Sequence, residues 1–379
     1  MLKNLTINNF RCFKHFELQQ LGRVNLLVGK NNSGKTSILE AIQLLCSKGN
    51  PEPLLDAMTN RGEYFWSDES RRSGRDRQLD ICHLFHGHEI ESGSEFSIVG
   101  LNDDFQNKLS VSIGKRPIAS SANSEIESDK STSFVEDFPD NLIELVFNIS
   151  WTDGNHREGL KRTLSANGGL SEDYIRRWRV IGKPSKNAAK NQYITSSSLT
   201  TTNMTELFEQ VVLTPEETLV YQALQTIEPK IQRLASITSG SRRTSESRGG
   251  FVVRLADNDQ RVPIGSMGDG IWRMLGLALS TVSAKGGVLL VDEIDTGLHF
   301  TAMEDMWKLL LETAKKLNVQ VFATTHNSDC WTSLASIASQ EQDTEDGITI
   351  QRIEPGKETG VVFTEREMVI AAQRGIEVR

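Results

Sequence analysis

Long apolar runs are missing from this sequence. Apolar stretches such as Val288 to Val291 end after a few residues, whereas a membrane-spanning helix needs about 18 consecutive apolar residues. The segment from Met1 to Phe10 alternates polar and apolar side chains and lacks the apolar block of an export signal. The sequence therefore argues against a membrane-embedded protein or a membrane partner, and it predicts a cytoplasmic location.

Cysteines are also few, and the chain has no excess of positive charge. The chain has four cysteines and no CxxC pair, which favours reduced thiols over a disulfide framework. A net charge of −8 argues against a surface that clamps nucleic acid everywhere, although a local basic face is compatible with it. With 379 residues and 37% apolar side chains, the chain is long enough to form two or three compact units.

The N-terminal segment has the pattern of strands followed by a loop and a helix. Leu2 to Phe16 alternates like a half-buried strand, and Val24 to Gly29 is typical of a buried strand that ends in glycine. The apolar residues between Ser37 and Leu45 recur at three- and four-residue spacings, which predicts an amphipathic helix. The loop between the second strand and this helix is rich in glycine and polar residues.

The middle of the chain is less regular. Strand-like pieces at Glu95 to Gly100 and Asn141 to Trp151 flank a serine-rich acidic stretch from Ser120 to Ser133, which favours a solvated loop. The segment Thr214-Pro215-Glu216-Glu217 predicts a helix with Thr214 as its N-cap, ending near Pro229. We divide the chain into an N-terminal lobe (1–100), a partly flexible insertion (101–205), a helical connector and linker (206–250) and a C-terminal lobe (251–379).

The C-terminal segment alternates helices with strands. The pattern predicts helices from Asp269 to Ser283 and from about Met303 to Leu317, with buried strands at Val288 to Val291 and Val319 to Thr324. Such alternation implies a mainly parallel sheet flanked by helices, with ligands at the carboxyl ends of its strands. The predicted fold class is α/β.

The loop between the predicted strand and helix of the N-terminal segment matches GxxxxGK[ST], and this context identifies a P-loop. Glycines at both ends allow backbone N–H groups to surround phosphate oxygens, while lysine contacts the outer phosphates and a hydroxyl binds magnesium. Lys35 and Thr36 fit these two last roles. The predicted nucleotide-binding residues are Gly29, Lys30, Asn31, Asn32, Ser33, Gly34, Lys35, Thr36 and Ser37.

Two carboxylates follow the buried strand at Val288 to Val291. A strand that ends in acids presents them at its carboxyl end, where Asp292 can hold magnesium together with Thr36. Glu293 can polarise a water molecule that attacks the γ-phosphate. Together with the P-loop, this pair predicts a site that binds and hydrolyses ATP with Mg²⁺.

The order of these motifs resembles the ABC-type ATPase heads of the RecF, SMC and OLD (overcoming lysogenisation defect) group. The resemblance rests on Asn9-Phe10-Arg11, the Asp292-Glu293 pair, Asp295 and Thr325-His326, together with the P-loop. It covers about residues 1 to 46 and 250 to 330. It implies an ABC-type head with two lobes and a β/α insertion.

The resemblance also implies roles for further residues. Arg11 would lie near the bound nucleotide, His326 would reach the γ-phosphate, and Asp295 would lie at a dimer seam. A signature motif that completes the active site of the opposite subunit corresponds to Ser266 and Gly268, although Met267 stands where the family has glycine. The implied assembly is a homodimer, or a larger even-numbered oligomer, that hydrolyses ATP poorly as isolated monomers.

Several features leave alternatives open. The family's lobe-linking glutamine could be Gln78, but His83 and His86 lie nearby and the position stays unassigned. The segment Cys82 to His88 is rich in zinc-binding residue types, yet it lacks a second ligand pair, so the pattern favours no metal. The arginine clusters that could contact nucleic acid are more typical of a solvated surface. They lie at 71–77, 176–179 and 242–248.

These observations favour an ATPase whose hydrolysis opens a dimer. The alternative is a slowly hydrolysing, nucleotide-gated scaffold that holds or releases a partner nuclease or toxin. Only about fifty residues follow His326, fewer than an independent domain of ~100 residues needs, so we expect any nuclease to be a separate effector. The resemblance implies bacterial anti-phage defence or DNA repair, whereas the divergent signature argues against a transporter subunit.

Overall fold

A computed structural model describes the chain in nine ranges. These are residues 1–48, 50–67, 76–103, 105–117, 143–154, 156–181, 190–237, 250–340 and 347–379. The predicted acidic loop at 120–133 lies outside the described residues, as do residues 238–249 of the predicted connector and linker, which include the arginine cluster at 242–248.

The strands of the described ranges are β1 Leu2–Phe10, β2 Phe13–Leu18, β3 Val24–Val28, β4 Tyr64–Ser67, β5 Asp76–Asp80, β6 Glu95–Asn102, β7 Gln106–Pro117, β8 Ile143–Asp153, β9 His156–Thr163, β10 Gly169–Ser171, β11 Asn191–Ile194, β12 Ile231–Ser236, β13 Phe251–Leu255, β14 Asn258–Pro263, β15 Val288–Val291, β16 Gln320–Thr324, β17 Ile348–Arg352 and β18 Val361–Phe363. The helices are α1 Lys35–Cys46, α2 Glu52–Asn60, α3 Glu172–Ile181, α4 Thr201–Val211, α5 Glu217–Ile227, α6 Asp269–Ser283, α7 Met303–Leu317, α8 Ser328–Gln340 and α9 Glu365–Gln373. Short 3₁₀ turns occupy Ile81–Leu84, Ile264–Met267 and Phe300–Ala302.

A six-stranded sheet lies at the centre of the fold. Its strand order is β11-β15-β16-β3-β17-β18, and all neighbours are parallel except β17 and β18. Successive residues of the strands point to opposite faces, so Leu27, Leu290 and Phe322 enter one hydrophobic core while Leu26, Leu289 and Ala323 enter another. The predicted α/β fold with a mainly parallel sheet is confirmed.

Each face of this sheet is covered by a different layer. On one face lie α1 and an antiparallel sheet of order β2-β1-β6-β7-β8-β9. The indole of Trp151 in β8 donates to the carbonyl of Leu44 in α1 at 3.1 Å, which joins these two elements. Residues of α4 to α9 and of the small sheet β12-β13-β14 cover the other face. Burial on both faces explains why strands such as β3 and β15 are almost wholly apolar.

The sheets cross the domain boundaries that the sequence suggested. Strands β6 and β7 pair from Glu95↔Ser112 to Leu101↔Gln106, so one sheet continues through the boundary at 100/101. Strand β11, within the predicted insertion, pairs in parallel with β15 of the C-terminal lobe. The division at these positions therefore does not coincide with the edges of the structural layers.

Two local predictions differ from the structure. The alternating segment Leu2 to Phe16 is a hairpin rather than one strand, because β1 ends at Phe10 and the chain turns at Arg11, where φ is 52°. Helix α5 begins at Glu217 and not after Thr214, whose hydroxyl instead donates to the carbonyl of Val211. The Glu217 carboxylate accepts the N–H of Leu213 at 2.8 Å.

The boundaries of the elements near the P-loop and in the C-terminal lobe agree closely with the prediction. Helices α6 and α7 span the predicted residues, and α5 ends at Ile227, before Glu228-Pro229. The described helices are all too short or too polar to cross a bilayer.

Candidate active site

The P-loop connects β3 to α1 through a backbone that glycine alone can adopt at two positions. Gly29 has a φ of 146° and Gly34 a φ of 96°. A Cβ atom at Gly29 would lie 2.4 Å from the carbonyl oxygen of Ile353, and one at Gly34 would lie 2.3 Å from the ring of Phe13. Conformation and crowding therefore both require glycine here.

Lys35, the first residue of α1, folds back over the P-loop. Its Nζ donates to the carbonyls of Gly29 and Lys30, each at 2.8 Å. Burial lowers the pKa of Lys35, while the nearby carboxylates of Asp292 and Glu293 act in the opposite direction. The ammonium group is thus placed at the loop that would surround the phosphates.

Asp292 lies at the carboxyl end of β15, against the first turn of α1. The hydroxyl of Thr36 donates to Asp292 Oδ2 at 3.1 Å, and the hydroxyl of Thr324 in β16 donates to Oδ1 at 2.6 Å. A carboxylate beside a hydroxyl is the oxygen donor set that Mg²⁺ prefers. Thr36 and Asp292 therefore fit the predicted magnesium site, and Thr324, which the sequence analysis did not identify, orients the carboxylate.

Glu293 and His326 converge from adjacent strands. The Nδ1 atom of His326 lies 3.8 Å from Oε1 of Glu293, and the Glu293 side chain is 41% exposed. Glu293 has a φ of 48°, and its N–H donates to the Thr324 hydroxyl at 2.8 Å. The strained backbone at Glu293 thus turns its carboxylate away from the strand and into the cavity.

These side chains line one cavity of about 420 Å³, within the usual size range of small-molecule sites. The lining residues are Arg11, Cys12, Asn31, Asn32, Ser33, Gly34, Lys35, Thr36, Ser37, Arg61, Glu63, His88, Asp292, Glu293, Thr324 and His326. Most of the predicted P-loop residues and the three predicted catalytic residues are therefore brought together.

Arg11 lines this cavity, but carboxylates hold its guanidinium. Arg11 binds Glu40 of α1 and Glu63, each at 2.6 Å, and only 5% of its side chain is exposed. Burial raises the pKa of Glu40, while the neighbouring Arg11 and Arg61 favour its ionised form. The predicted contact of Arg11 with the nucleotide stays a prediction.

Arg61 is a cavity residue that sequence reasoning missed. Its Nε donates to Glu40 at 2.7 Å and one terminal nitrogen donates to the Ser37 hydroxyl at 3.3 Å. About a third of its side chain, 35%, is exposed. No sequence motif marks Arg61, because only the packing of α2 beside α1 brings it to the P-loop.

Arg273 in α6 is a second missed residue. Its guanidinium donates to the backbone carbonyls of Thr195, Asp292 and Glu293 at 2.8 to 2.9 Å. Burial lowers the pKa of Arg273 to about 10. The sequence did contain a signal for Arg273, because it is a single arginine inside the apolar segment from Ile271 to Leu279. A buried cation needs polar partners, so such a residue can be expected to bind a polar group of the core.

The signature residues lie outside the cavity. Ser266 and Gly268 are exposed in the turn that precedes α6, and a Cβ atom at Gly268 would meet nothing within 4 Å. Met267 packs against the core beneath α6, which gives a physical reason for an apolar residue in place of the family's glycine. Asp295 also lies outside the cavity, and its carboxylate accepts the hydroxyl of Thr325 at 2.6 Å.

The candidates for the unassigned glutamine position lie in different environments, and the position stays unassigned. Gln78 lies in β5, is buried and does not line the cavity. Its side-chain oxygen packs against Gly169, where a Cβ atom would lie only 2.5 Å away. His88 does line the cavity, whereas His86 uses Nδ1 to contact the Arg11 carbonyl at 3.1 Å.

The described arginines of the predicted basic clusters are partly neutralised. Arg77 and Arg176 both bind the carboxylate of Glu172, and Arg77 also lies 4.6 Å from the ring centroid of Tyr64. Arg71 and Arg72 lie outside the described residues. Arg77 and Arg176 therefore form ion pairs with a glutamate of the same chain, which partly neutralises the charge that they could offer to nucleic acid.

The P-loop and the acidic strand end define a P-loop nucleotide-binding protein of the α/β class. The family model described as "AAA domain, putative AbiEii toxin, Type IV TA system" matches residues 24–329. Because this match spans most of the chain, the protein belongs to that family. The predicted resemblance to ABC-type P-loop ATPase heads is confirmed at this level.

Individual relatives show how far the similarity extends. The chain is 22% identical over 355 residues to a protein named ATP/GTP phosphatase from Helicobacter pylori, covering 87% of this chain and 86% of that protein. A 44-residue match to the DNA replication and repair protein RecF of Clostridioides difficile is 54% identical and covers 12% of each protein. The SMC head domain from Thermotoga maritima is 11% identical with a TM-score of 0.42, covering 96% of this chain and 98% of that one. The fold assignment rests on the family match and the strand order.

Proposed function

We propose that this protein is a magnesium-dependent ATPase that converts ATP to ADP and phosphate within a dimer of two copies. The observation that carries the proposal is the convergence of Lys35, Thr36, Asp292, Glu293 and His326 on one cavity. The name of the Helicobacter pylori relative, ATP/GTP phosphatase, supports hydrolysis as the reaction.

Each group in the cavity has a distinct part in the proposed reaction. The P-loop N–H groups and Lys35 bind the phosphates, and Glu293 orients the attacking water. His326, whose Nδ1 lies 3.8 Å from Oε1 of Glu293, would donate to the γ-phosphate. Thr36 and Asp292 would hold Mg²⁺, which when bound neutralises charge on the phosphate oxygens.

The dimer is proposed because the cavity does not contain the signature residues of its own chain. Ser266 and Gly268 are exposed in the turn before α6, where a second copy could receive them at its γ-phosphate. Contacts that depend on the γ-phosphate stabilise the closed dimer only while ATP is intact. Hydrolysis would then release the two copies.

A mixing experiment tests the shared site. Lys35→Ala and Ser266→Arg should each abolish ATP turnover alone, because every site in either homodimer lacks one essential group. In an equal mixture, half of the dimers are mixed and each has one intact site, so about a quarter of wild-type turnover should return. An ATP hydrolysis assay measures turnover, and size-exclusion chromatography in ATP and Mg²⁺ measures dimer formation.

The control is an equal mixture of two single variants, Lys35→Ala and Glu293→Gln. Both substitutions damage the same half of a shared site, so a mixed dimer of these variants has one site without Lys35 and one without Glu293. No turnover should return. Recovery in this control would show that Lys35 and Glu293 of one chain do not serve the same site. No recovery in the first mixture, or full activity of Ser266→Arg alone, would show that the site is not shared between copies.

We further propose that the ATPase acts in the cytoplasm with a separate effector in anti-phage defence or DNA repair. The family description, which names a toxin and a Type IV toxin–antitoxin system, favours defence, and the RecF match favours repair. The alternative is a scaffold that hydrolyses ATP slowly and holds a nuclease or toxin. Survival of cells with wild-type protein or Glu293→Gln, after phage challenge or after DNA damage, separates defence from repair. The rate of ATP turnover separates the ATPase from the scaffold.

Direct binding of nucleic acid is a lesser part of this proposal. Because Arg77 and Arg176 are both bound to Glu172, we expect weak, strongly salt-dependent binding at most. A mobility-shift titration at two salt concentrations, with and without ATP, tests it.

A further inference from the structure

The turn after β5 collects metal-binding side chains that the ATPase reaction does not use. Asp80, Cys82 and His83 each offer one ligand atom, and these atoms all lie within 4.8 Å of one another. The Cys82 thiol donates to Asp80 Oδ1 at 2.9 Å, and His83 Nε2 lies 3.5 Å from Asp80 Oδ2. All three are partly exposed, so an ion can reach them from solvent.

The second nitrogen of His83 already has a partner. His83 Nδ1 lies 3.2 Å from Nδ1 of His88, so one ring carries the proton and the other accepts it. If His83 donates, its Nε2 presents a lone pair toward Asp80. This is the usual arrangement of a metal-binding histidine, whose other N–H is held by an outer acceptor that fixes the tautomer.

The turn that carries these groups is anchored independently of any ion. The Arg11 N–H donates to the Leu84 carbonyl at 2.9 Å, and the His86 N–H donates to the Asn9 carbonyl at 2.9 Å. Ile81 and Leu84 are fully buried in the core. The ligand groups are therefore held together by the fold, which reduces the entropy lost on binding.

We propose that Asp80, Cys82 and His83 form a zinc site with its fourth position open to water, and that His88 orients His83. A thiolate, an imidazole and a carboxylate form a borderline-soft donor set that selects zinc over magnesium or calcium. Zinc–ligand bonds of about 2.0 to 2.3 Å place neighbouring ligand atoms about 3.3 to 3.8 Å apart on a tetrahedron, so only small side-chain movements are needed. The thiol proton leaves to solvent as the Zn–S bond forms.

The proposed zinc site is separate from the magnesium site but connected to the same cavity. His88, the outer partner of His83, lines the nucleotide cavity. The sequence pattern disfavoured a metal because it lacks a second ligand pair. Asp80, at the end of β5, instead supplies a third ligand beside Cys82 and His83, which the search for a second pair did not consider.

Cobalt binding to the nucleotide-free, reduced full-length chain tests the proposal. Co²⁺ should bind at one equivalent and give a near-ultraviolet thiolate-to-metal band that one equivalent of Zn²⁺ removes. Cys82→Ser should abolish the band, whereas Cys12→Ser, the matched substitution of the exposed thiol beside the P-loop, should retain it. Asp80→Asn and His83→Gln should each weaken Zn²⁺ binding at least about 10-fold, and His88→Gln about 10-fold.

The outcomes are decisive even if one variant folds poorly. Absence of the thiolate band in the wild type overturns the site without any substitution. A band that survives in folded Cys82→Ser, or one that Cys12→Ser removes, overturns the assignment of the ligand. Circular dichroism establishes that each variant is folded, and metal binding is read without ATP turnover, so failure of the ATPase proposal would leave this test unaffected.

Discussion

The carboxyl edge of the central sheet and the turn before α6 differ in how the chain supports their polar groups. At the sheet edge, Asp292 accepts hydrogen bonds from Thr36 and Thr324, and the Glu293 N–H is bound by Thr324. In the turn, Ser266 and Gly268 face solvent. The first region is organised by its own chain, whereas the second presents groups that another surface can use.

Arg273 connects these two regions. It belongs to α6, which begins directly after Gly268, and its guanidinium holds the carbonyls of Asp292 and Glu293. In the proposed dimer, a shift of α6 would therefore act on the acidic edge of the same chain through these two hydrogen bonds.

Glu293→Gln should lower ATP turnover by about 10³-fold, because the amide cannot polarise the attacking water. ATP affinity should change little, and an ATP-bound dimer should accumulate on size-exclusion chromatography. The control is Glu304→Gln, an exposed glutamate in the first turn of α7, which should turn over ATP like the wild type. More than a tenth of the activity in Glu293→Gln would show that another group orients the water.

Arg273→Leu should lower the free energy of unfolding by about 3 kcal/mol, because three partly buried carbonyls lose a charged donor. Chemical denaturation with nucleotide-free protein measures this. Arg254→Leu, an exposed arginine of β13, should change the free energy by less than about 0.5 kcal/mol. If the two variants were equally stable, Arg273 would not support the sheet edge.

Arg61→Ala should weaken ATP binding about 10-fold, since it removes a partly exposed cation from the phosphate cavity. Arg61→Lys should be intermediate, because it keeps the charge but cannot bond Glu40 and Ser37 as a fork. Binding of a fluorescent ATP analogue measures both. Unchanged affinity in both variants would assign Arg61 a purely structural role.

Ser266→Ala should have the smallest effect on the isolated chain. Its free energy of unfolding should stay within about 0.5 kcal/mol of the wild type, as expected for an exposed hydroxyl. Thr324→Ala, which removes a buried hydroxyl at the sheet edge, should lose about 2 kcal/mol. Comparable losses in both variants would contradict the contrast between the two regions.

Sequence reasoning succeeded where the pattern is local. The P-loop requires glycines at fixed positions, and α1, α6 and α7 have the helical period in their apolar residues. It failed at Thr214 and at Arg11 for local reasons of another kind. At Thr214 a competing bond to Val211 moved the start of α5, and at Arg11 the alternating pattern continued through a turn.

Residues brought together from distant segments were the ones that sequence reasoning missed. Arg61 reaches the P-loop through α2, and Arg273 reaches the acidic edge through α6. Neither of these positions has a characteristic spacing, because the partners of each are chosen by packing.

The sequence by itself determined the chemistry of the phosphate site, because its loop, its lysine and its two acids lie in short motifs beside apolar strands. The tertiary structure decided how the charges around that site are paired, which residues line the cavity, and which polar groups stay exposed. The reason is physical: a strand or helix depends on neighbours a few residues away, whereas the partner of a buried charge is fixed by the packing of whole layers.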